Sequence, residues 1–591
     1  MSPGTPRFAP ALVERESRVG GGFVLRSPTP LRDVPRCVGD VLVRWAAEAP
    51  SRVFLAERRA TGEWRTVTYA GALTAVRLLA KELLDGGLGP TRPLMILSGN
   101  AIDQALLTLA GMHVGVPIAP VSPAYSLVSK DFAKLTTLAG ILAPGALYAA
   151  EGPQFDGAIR ALAARGSDVP RIVVAADVDA SAEAGPLPDV DAAFQRIGPD
   201  TIAKVLFTSG STGAPKGVVN TQRMLCSNQQ AIATTWPFLT DRPPVVVDWL
   251  PWSHTFGGNH NFFMVLWHGG TLYIDEGKPA PGAFEHTVKN LRELSPTAYF
   301  NVPRGFDMLV ARLEEDGELA ASFFRDLDVV FYAAAALSQP TWERLEAVST
   351  KVRGSKVTMV SAWGSTETSP LITQVHFPID RAGVIGLPAP GCELAFVPSK
   401  TTGGKLEMRV RGPNVSPGYW RAGGTTEPSP RDEQGFYPMG DAGRLADEAD
   451  PAKGVVFDGR TAENFKLSSG TWVHVGELRI AVVGACAPLV QDAVLTGHDR
   501  EEIGLLVFPS AEGLRHADLS AVLRERIAAF NAGRAGTSSR IARVMILEEP
   551  PSIDAGEITD KGYINQRAVL DRRAALVLAL HDDNGNAIRT G

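Results

Sequence analysis

Cysteine is scarce in this 591-residue chain. The four present, Cys37, Cys226, Cys392 and Cys486, are far apart and form no C-x-x-C pair. That excludes a disulfide framework and a cysteine zinc site, and reduced, mostly buried thiols are expected. An excess of either charge is missing too: 58 Lys and Arg face 64 Asp and Glu, mixed along the chain, for a net charge of −6. No nucleic-acid footprint and no polybasic membrane patch is present. No apolar run approaches the roughly 18 residues that a membrane helix needs, so no membrane association is expected. The first eleven residues hold no apolar signal region, and a cytoplasmic location is the expectation.

What is present is a long chain, too long for one ordinary core, with a hydrophobic share of 45%, as in soluble globular proteins. After a Pro-, Arg- and Ser-rich start over 1–36, expected to drape over the surface, strands and helices alternate. A helix is predicted from 38, a strand pair over 53–58 and 64–69, and a helix over 69–86. A buried strand over 93–97, a helix over 101–115 and a strand over 117–121 follow. Strands are predicted again at 171–175, 203–207 and 244–250. This alternation implies a doubly wound α/β layer. Residues 383–445 turn to short strands and Gly/Pro turns, a small β unit. The tail reads as strands at 481–483, 493–495 and 503–508 and a helix over 520–532. The fold class is therefore α/β: a large N-terminal domain over 1–458 and a small, mobile α+β domain over 459–591.

The chemistry starts at Thr208-Ser209-Gly210-Ser211-Thr212-Gly213-Ala-Pro-Lys216-Gly217, behind the apolar run Ala203-Lys-Val-Leu-Phe207. The glycines let the backbone turn its N–H groups into one concavity, the hydroxyls add donors, and Lys216 adds charge: a cradle for polyphosphate. It is not the G-x-x-x-x-G-K-[ST] loop, because Pro215 stands where the second glycine belongs, counting from Gly210. A lone loop histidine is by default structural, and His254 in Leu250-Pro-Trp-Ser-His254-Thr-Phe256-Gly257 carries that alternative. A zinc site built on His254 and His260 is rejected for want of a third nearby ligand. Glu367, in Trp363-Gly364-Ser-Thr366-Glu367, follows a predicted strand, where ligands collect in α/β sheets.

Together these motifs resemble the acyl-adenylate-forming superfamily of acyl-CoA synthetases, adenylation domains and luciferases. The resemblance implies ATP, Mg²⁺ and coenzyme A as cofactors or co-substrates. It makes Glu367 the magnesium ligand and Thr366 a phosphate donor, and puts Trp363 where an aromatic stacks on adenine. Ala334, Ala335 and Ala336 match the adenine turn, with alanines in place of glycines, so a positive φ there would carry a cost. Asp441 matches the ribose ligand and Arg460 a second ribose and phosphate contact. Two residues beyond Arg460, Ala462 replaces the usual hinge Asp or Lys. Lys466, Gly470 and Trp472 mark the loop that meets the thiol. The tail motif P-x-T-x-x-G-K aligns Glu557 with the family's lysine, and Lys561 is expected to act instead.

Longer stretches resemble the feruloyl-CoA synthetases of bacteria that degrade aromatic compounds: residues 250–262, 300–306, 464–473 and 557–567. The implied activity is an ATP-dependent ligase joining ferulate, p-coumarate or caffeate to CoA through an acyl-adenylate. The alternatives are another aryl or medium-chain acid, or loading of a carrier protein. The expected partner is a small aromatic carboxylic acid, held near Trp249, His254, Phe256, Ala335 and Gly364, in a monomer or homodimer. Phe262, Phe263, Tyr299 and Phe300 complete a possible aromatic slot, although aromatics on strand ends are more often core.

Overall fold

The structure is a computed structural model, and it describes residues 6–150, 152–164, 171–172, 185–208, 215–280, 282–335, 337–398, 404–559, 564–582 and 587–590. Three sheets carry most of the chain. In an eight-stranded sheet, Leu94–Leu97 is parallel to Ile118–Val121 on one side and to Ala146–Ala149 on the other, and Ile118–Val121 is in turn parallel to Ile202–Thr208. An eleven-stranded sheet begins at one edge with the parallel strands Ala298–Asn301, Val329–Tyr332 and Thr358–Gly364. It continues through Leu371–Gln374 and Val384–Pro388 into antiparallel strands, among them Tyr437–Leu445 and Val455–Arg460. The small β unit is thus hydrogen-bonded onto the α/β layer. A four-stranded sheet, Val245–Asp248, Thr271–Ile274, Val53–Arg58 and Trp64–Thr68, lies beside them.

Helices fill the layers. Ile102–Val114 is apolar almost all round, and every residue in it but Asp103 is buried, as expected of a helix enclosed by its neighbours. Tyr69–Asp85 starts on a Thr68 cap that accepts from Gly71 N at 3.1 Å. From residue 465 on, a separate apolar cluster forms around Val490–Thr496, Ile503–Pro509, Ile541–Ile546 and Leu519–Ala532. The mixed α/β fold, with a large N-terminal part of several sheets and a smaller C-terminal part, is as expected.

Two local expectations are corrected. The start of the chain does not merely drape: Phe23–Arg26 pairs with Glu393–Pro398, burying Phe23, Val24 and Leu25. Ala481-Val-Val483 is no strand but part of the helix Val475–Ala485, because Val475, Leu478 and Val482 recur at helical spacing and bury one face. All four cysteines are buried and free. No helix among the described residues is long and apolar enough to cross a membrane.

Candidate active site

The phosphate-loop expectation falls on a hairpin. Ile202–Thr208 and Lys216–Thr221 are antiparallel, with Thr208 opposite Lys216, so the chain leaves and re-enters the same sheet. Ser209, Gly210, Ser211, Thr212 and Gly213 lie outside the described residues. Lys216 Nζ sits 4.8 Å from the ring centroid of Tyr419. The carboxylate of Glu367 acts on that same ring: burial raises the Tyr419 hydroxyl above its usual value, the bond it shares with the Tyr437 hydroxyl opposes this, and the Glu367 charge adds to the rise. Lys216 and Glu367 therefore approach one spot from two separate elements.

Glu367 stands in the tight turn Thr366–Thr368, beyond Thr358–Gly364. Its Oε2 accepts from Ser365 Oγ at 2.9 Å. The turn is pinned from three sides: Asn414 Nδ2 donates to Thr368 O at 2.8 Å, Asn228 Nδ2 to Leu371 O at 2.9 Å, and Ser416 N to Glu367 O at 2.7 Å. Gly364 is required here, since a Cβ would lie 1.6 Å from Pro370 O. Across the sheet edge, Ala334 takes φ +73°, the left-handed conformation that the alanine-for-glycine exchange made costly. Ala334 and Ala335 are both exposed.

Asp441 joins the two halves of the expected nucleotide site. It is buried on Tyr437–Leu445, directly opposite Arg460 on Val455–Arg460. Trp363 Nε1–H donates to Asp441 Oδ2 at 2.9 Å. Arg460 Nε lies 3.1 Å from Oδ1 but is not aligned to donate, so this buried oxygen has no hydrogen-bond donor among the described residues. Burial pushes the Asp441 carboxyl up, and the Arg460 charge and the Trp363 bond pull it back.

The residues expected on the acyl side divide. His254 is buried in the turn after Pro251, where its N–H donates to Pro251 O at 3.0 Å. The helical turn Phe256–Asn261 that follows is of the wide, π type, and it sets Phe256 and His260 against Phe331 at centroid distances of 5.4 and 4.9 Å, with Phe300 beside them. Trp249 donates to Asn301 Oδ1 at 3.2 Å. The other aromatics of the expected slot do not join this group: Tyr299 packs with Phe306 and Phe323, and Phe262 with Phe54 and Trp252. They are core.

In the smaller part, Lys466 and Trp472 face each other across a two-stranded hairpin, Lys466 Nζ 5.1 Å from the indole, with Gly470 at φ +79° in the turn. Lys561 lies outside the described residues. Glu557 does not: it is fully buried and clasped by Arg573 and Arg572. The nearby turn rests on the larger part, where Lys134 Nζ donates to Ile553 O at 2.5 Å and Lys130 N to Asp554 Oδ2 at 3.2 Å.

A polar hub went unread. Lys204, inside the strand before the loop, is buried and donates to Gly258 O at 3.2 Å and Asn259 Oδ1 at 3.1 Å. Burial lowers its ammonium to about 7. Asn259 Nδ2 then reaches Asn220 Oδ1 at 2.9 Å, Thr255 Oγ1 at 3.2 Å and Ser369 Oγ at 3.4 Å. One amide thus ties the Lys216–Thr221 strand, the His254 segment and the Glu367 turn together. The available signal was a lysine in the middle of an apolar strand.

Comparison with known proteins follows the same division. The model of the AMP-binding enzyme family matches residues 42–420, and that of the AMP-binding enzyme C-terminal domain matches residues 466–584. An anthranilate–CoA ligase from Pseudomonas aeruginosa is 27% identical over 426 residues, which is 71% of this chain and 76% of that protein. A probable CoA ligase, CCL8, from Humulus lupulus is 25% identical over 334 residues, 54% of this chain and 53% of that one. The chain spans about half the length of several curated relatives, among them 47% of a carboxylic acid reductase from Segniliparus rugosus. The solved structure of ATP-bound MatB from Rhodopseudomonas palustris is similar with a TM-score of 0.68 at 19% identity, covering 91% of this chain and 99% of that one. The adenylation domain of a Mycobacterium chelonae carboxylate reductase gives 0.71 at 20% identity, over 94% and 92%.

Proposed function

Because the chain belongs to the AMP-binding enzyme family, we propose that it is an ATP-dependent acid–CoA ligase. It works through an acyl-adenylate, takes hydroxycinnamic acids such as ferulate, p-coumarate and caffeate, and releases AMP and pyrophosphate. The observation that carries this reading is Asp441: a buried carboxylate fixed by Trp363, with one oxygen lacking a donor, beside a strand-end turn that holds Glu367. A ribose hydroxyl is the donor that oxygen lacks, and the Trp363 ring beside it suits adenine.

A single carboxylate held by Ser365, next to a lysine, fits Mg²⁺, which takes its remaining ligands from phosphate and water. When bound, the ion neutralises phosphate charge. The substrate carboxylate is ionised near neutral pH and needs no general base. It attacks the α-phosphorus of ATP, a new carboxylate–phosphate bond forms, and pyrophosphate leaves with the electron pair of the broken P–O bond. Lys216 and Lys561 offset the charge that develops on the phosphate oxygens. The domain from residue 459 then turns, and the Lys466–Trp472 hairpin meets the pantetheine arm. The thiolate attacks the acyl carbon and AMP departs.

The test is acid-dependent pyrophosphate release and CoA-thioester formation with ferulate, p-coumarate, benzoate, salicylate and octanoate. Ferulate or p-coumarate leading in both assays supports the reading. Pyrophosphate without a CoA thioester points to a carrier-bound acceptor, and preference for octanoate or benzoate removes the hydroxycinnamates.

A further inference from the structure

His260 is buried within a cage of aromatic rings, with Phe331 at 4.9 Å, Phe300 at 5.7 Å and Phe256 at 5.9 Å between centroids. Its two ring nitrogens have different surroundings. Nδ1 is 2.9 Å from Asn261 Oδ1. Nε2 is buried and has no hydrogen-bond partner among the described residues.

The neighbours decide which nitrogen carries the proton. Asn261 turns its Nδ2 to Asp248, donating to Oδ2 at 2.9 Å, while Leu250 N donates to Oδ1 at 3.0 Å. Both Asp248 oxygens accept, as an ionised carboxylate does. The Asn261 amide is thereby oriented, and its carbonyl oxygen is what remains for the histidine. A carbonyl oxygen only accepts, so Nδ1 holds the hydrogen and Nε2 presents a bare lone pair. Burial keeps this ring neutral, lowering it to about 4.

We infer that His260 is a specificity-determining residue of the acyl site, accepting a hydrogen bond from an O–H or N–H group on the ring of an aromatic acid. The aromatic rings keep water from Nε2, and the lone pair selects the donor substituent. An aryl acid with no donor leaves Nε2 unpaired in an apolar enclosure, and a site built to bond a substrate hydroxyl discriminates strongly against the analogue that lacks it. The inference rests on the ligase reading above and assigns the residue that recognises the ring hydroxyl of its hydroxycinnamic acids.

The experiment measures kcat/KM for acid-dependent pyrophosphate release by the full chain with p-coumarate, cinnamate and 4-methoxycinnamate. It is run at pH 8, because burial pushes Asp248 up to about 7 and the carboxylate form must hold. Expected for the native chain is a preference for p-coumarate of at least about tenfold over both analogues. In His260→Phe that ratio falls toward one while cinnamate is still adenylated, and in His260→Gln, which keeps an acceptor, part of it returns. If a variant does not fold, equal native ratios still overturn the inference, and His260→Gln decides the rest. If the native chain adenylates all three acids equally, or if His260→Phe keeps the full preference, the inference is overturned and the ligase reading stands. If it adenylates none of the three, the hydroxycinnamate reading falls and takes the inference with it.

Discussion

Trp363 Nε1–H donates to Asp441 Oδ2 at 2.9 Å, so the ring proposed for adenine and the carboxylate proposed for ribose are one hydrogen-bonded unit. A tyrosine or phenylalanine at 363 would keep an aromatic face but could not reproduce the indole donor. In Trp363→Phe the buried Asp441 loses its remaining bond, at a cost of about 1–3 kcal/mol. The expected result is a lower melting temperature together with a higher KM for ATP and an unchanged KM for the acid. A variant with native stability and native KM for ATP would show that the bond orients nothing.

Asn259 is expected to act through position alone, since its amide is consumed by Lys204, Asn220, Thr255 and Ser369. Two substitutions separate stability from alignment. Asn259→Leu leaves Lys204 with Gly258 O alone, strips the three acceptors of their donor, and should lower both melting temperature and pyrophosphate release, the latter at least about tenfold. Asn259→Asp keeps an acceptor for Lys204 but loses every donor. Melting temperature should recover toward native while turnover does not. Recovery of both would mean the hub only stabilises the fold.

Much of this was legible in residue order. The strand–helix alternation gave the layers, and Asp441 and Arg460, nineteen positions apart, proved to face each other across one strand pair. The alanine at 334 does adopt the positive φ at which a glycine would be free of strain. What order could not give depends on contacts between distant segments. Lys204 is a lysine in a strand until Asn259 is brought to it, and Trp363 is an aromatic near a loop until Asp441 arrives from 78 positions away. The expected aromatic set divides for a related reason: neighbours in sequence on a strand point to opposite faces, so Phe300 joins the group around His260 while Tyr299 enters a different core.

Histidines withdrawn from water shape the response to acid. Burial lowers His113, His260 and His581 to about 4 and His268 to about 3, from an unfolded value near 6.5. Between those values the unfolded chain binds protons that the folded chain refuses, so stability is full above about pH 6.5 and is lost as pH falls toward 4. Asp248, raised by burial to about 7, has the opposite sign across the same window and offsets one of the four. The urea midpoint should fall from pH 7 to pH 5, and His113→Phe, which keeps the stack on Phe194 while removing one titrating ring, should flatten that fall. An equal fall in native and variant chains would exclude His113 as a contributor.

The tail provides the sharpest test of residue roles. Glu557 stands where the family motif has its lysine, yet it is a clasp. Its Oε1 accepts from Arg573 Nε at 2.6 Å, and its Oε2 from Arg572 at 2.7 Å, from the second Arg573 nitrogen at 2.9 Å and from Ser552 N at 2.9 Å. Burial opposes its charge, and the Arg573 and Ser552 bonds overcome that and hold the carboxyl below its usual range. A lysine placed there would bury a third cation against two arginines, and breaking such a buried pair costs about 3–5 kcal/mol. Lys561→Ala is therefore expected to retain the native melting temperature and lose pyrophosphate release by about a hundredfold or more. Adding Glu557→Lys to that variant should restore no activity and should lower the melting temperature. If the double variant regains pyrophosphate release, the lysine role belongs to position 557 and not to Lys561.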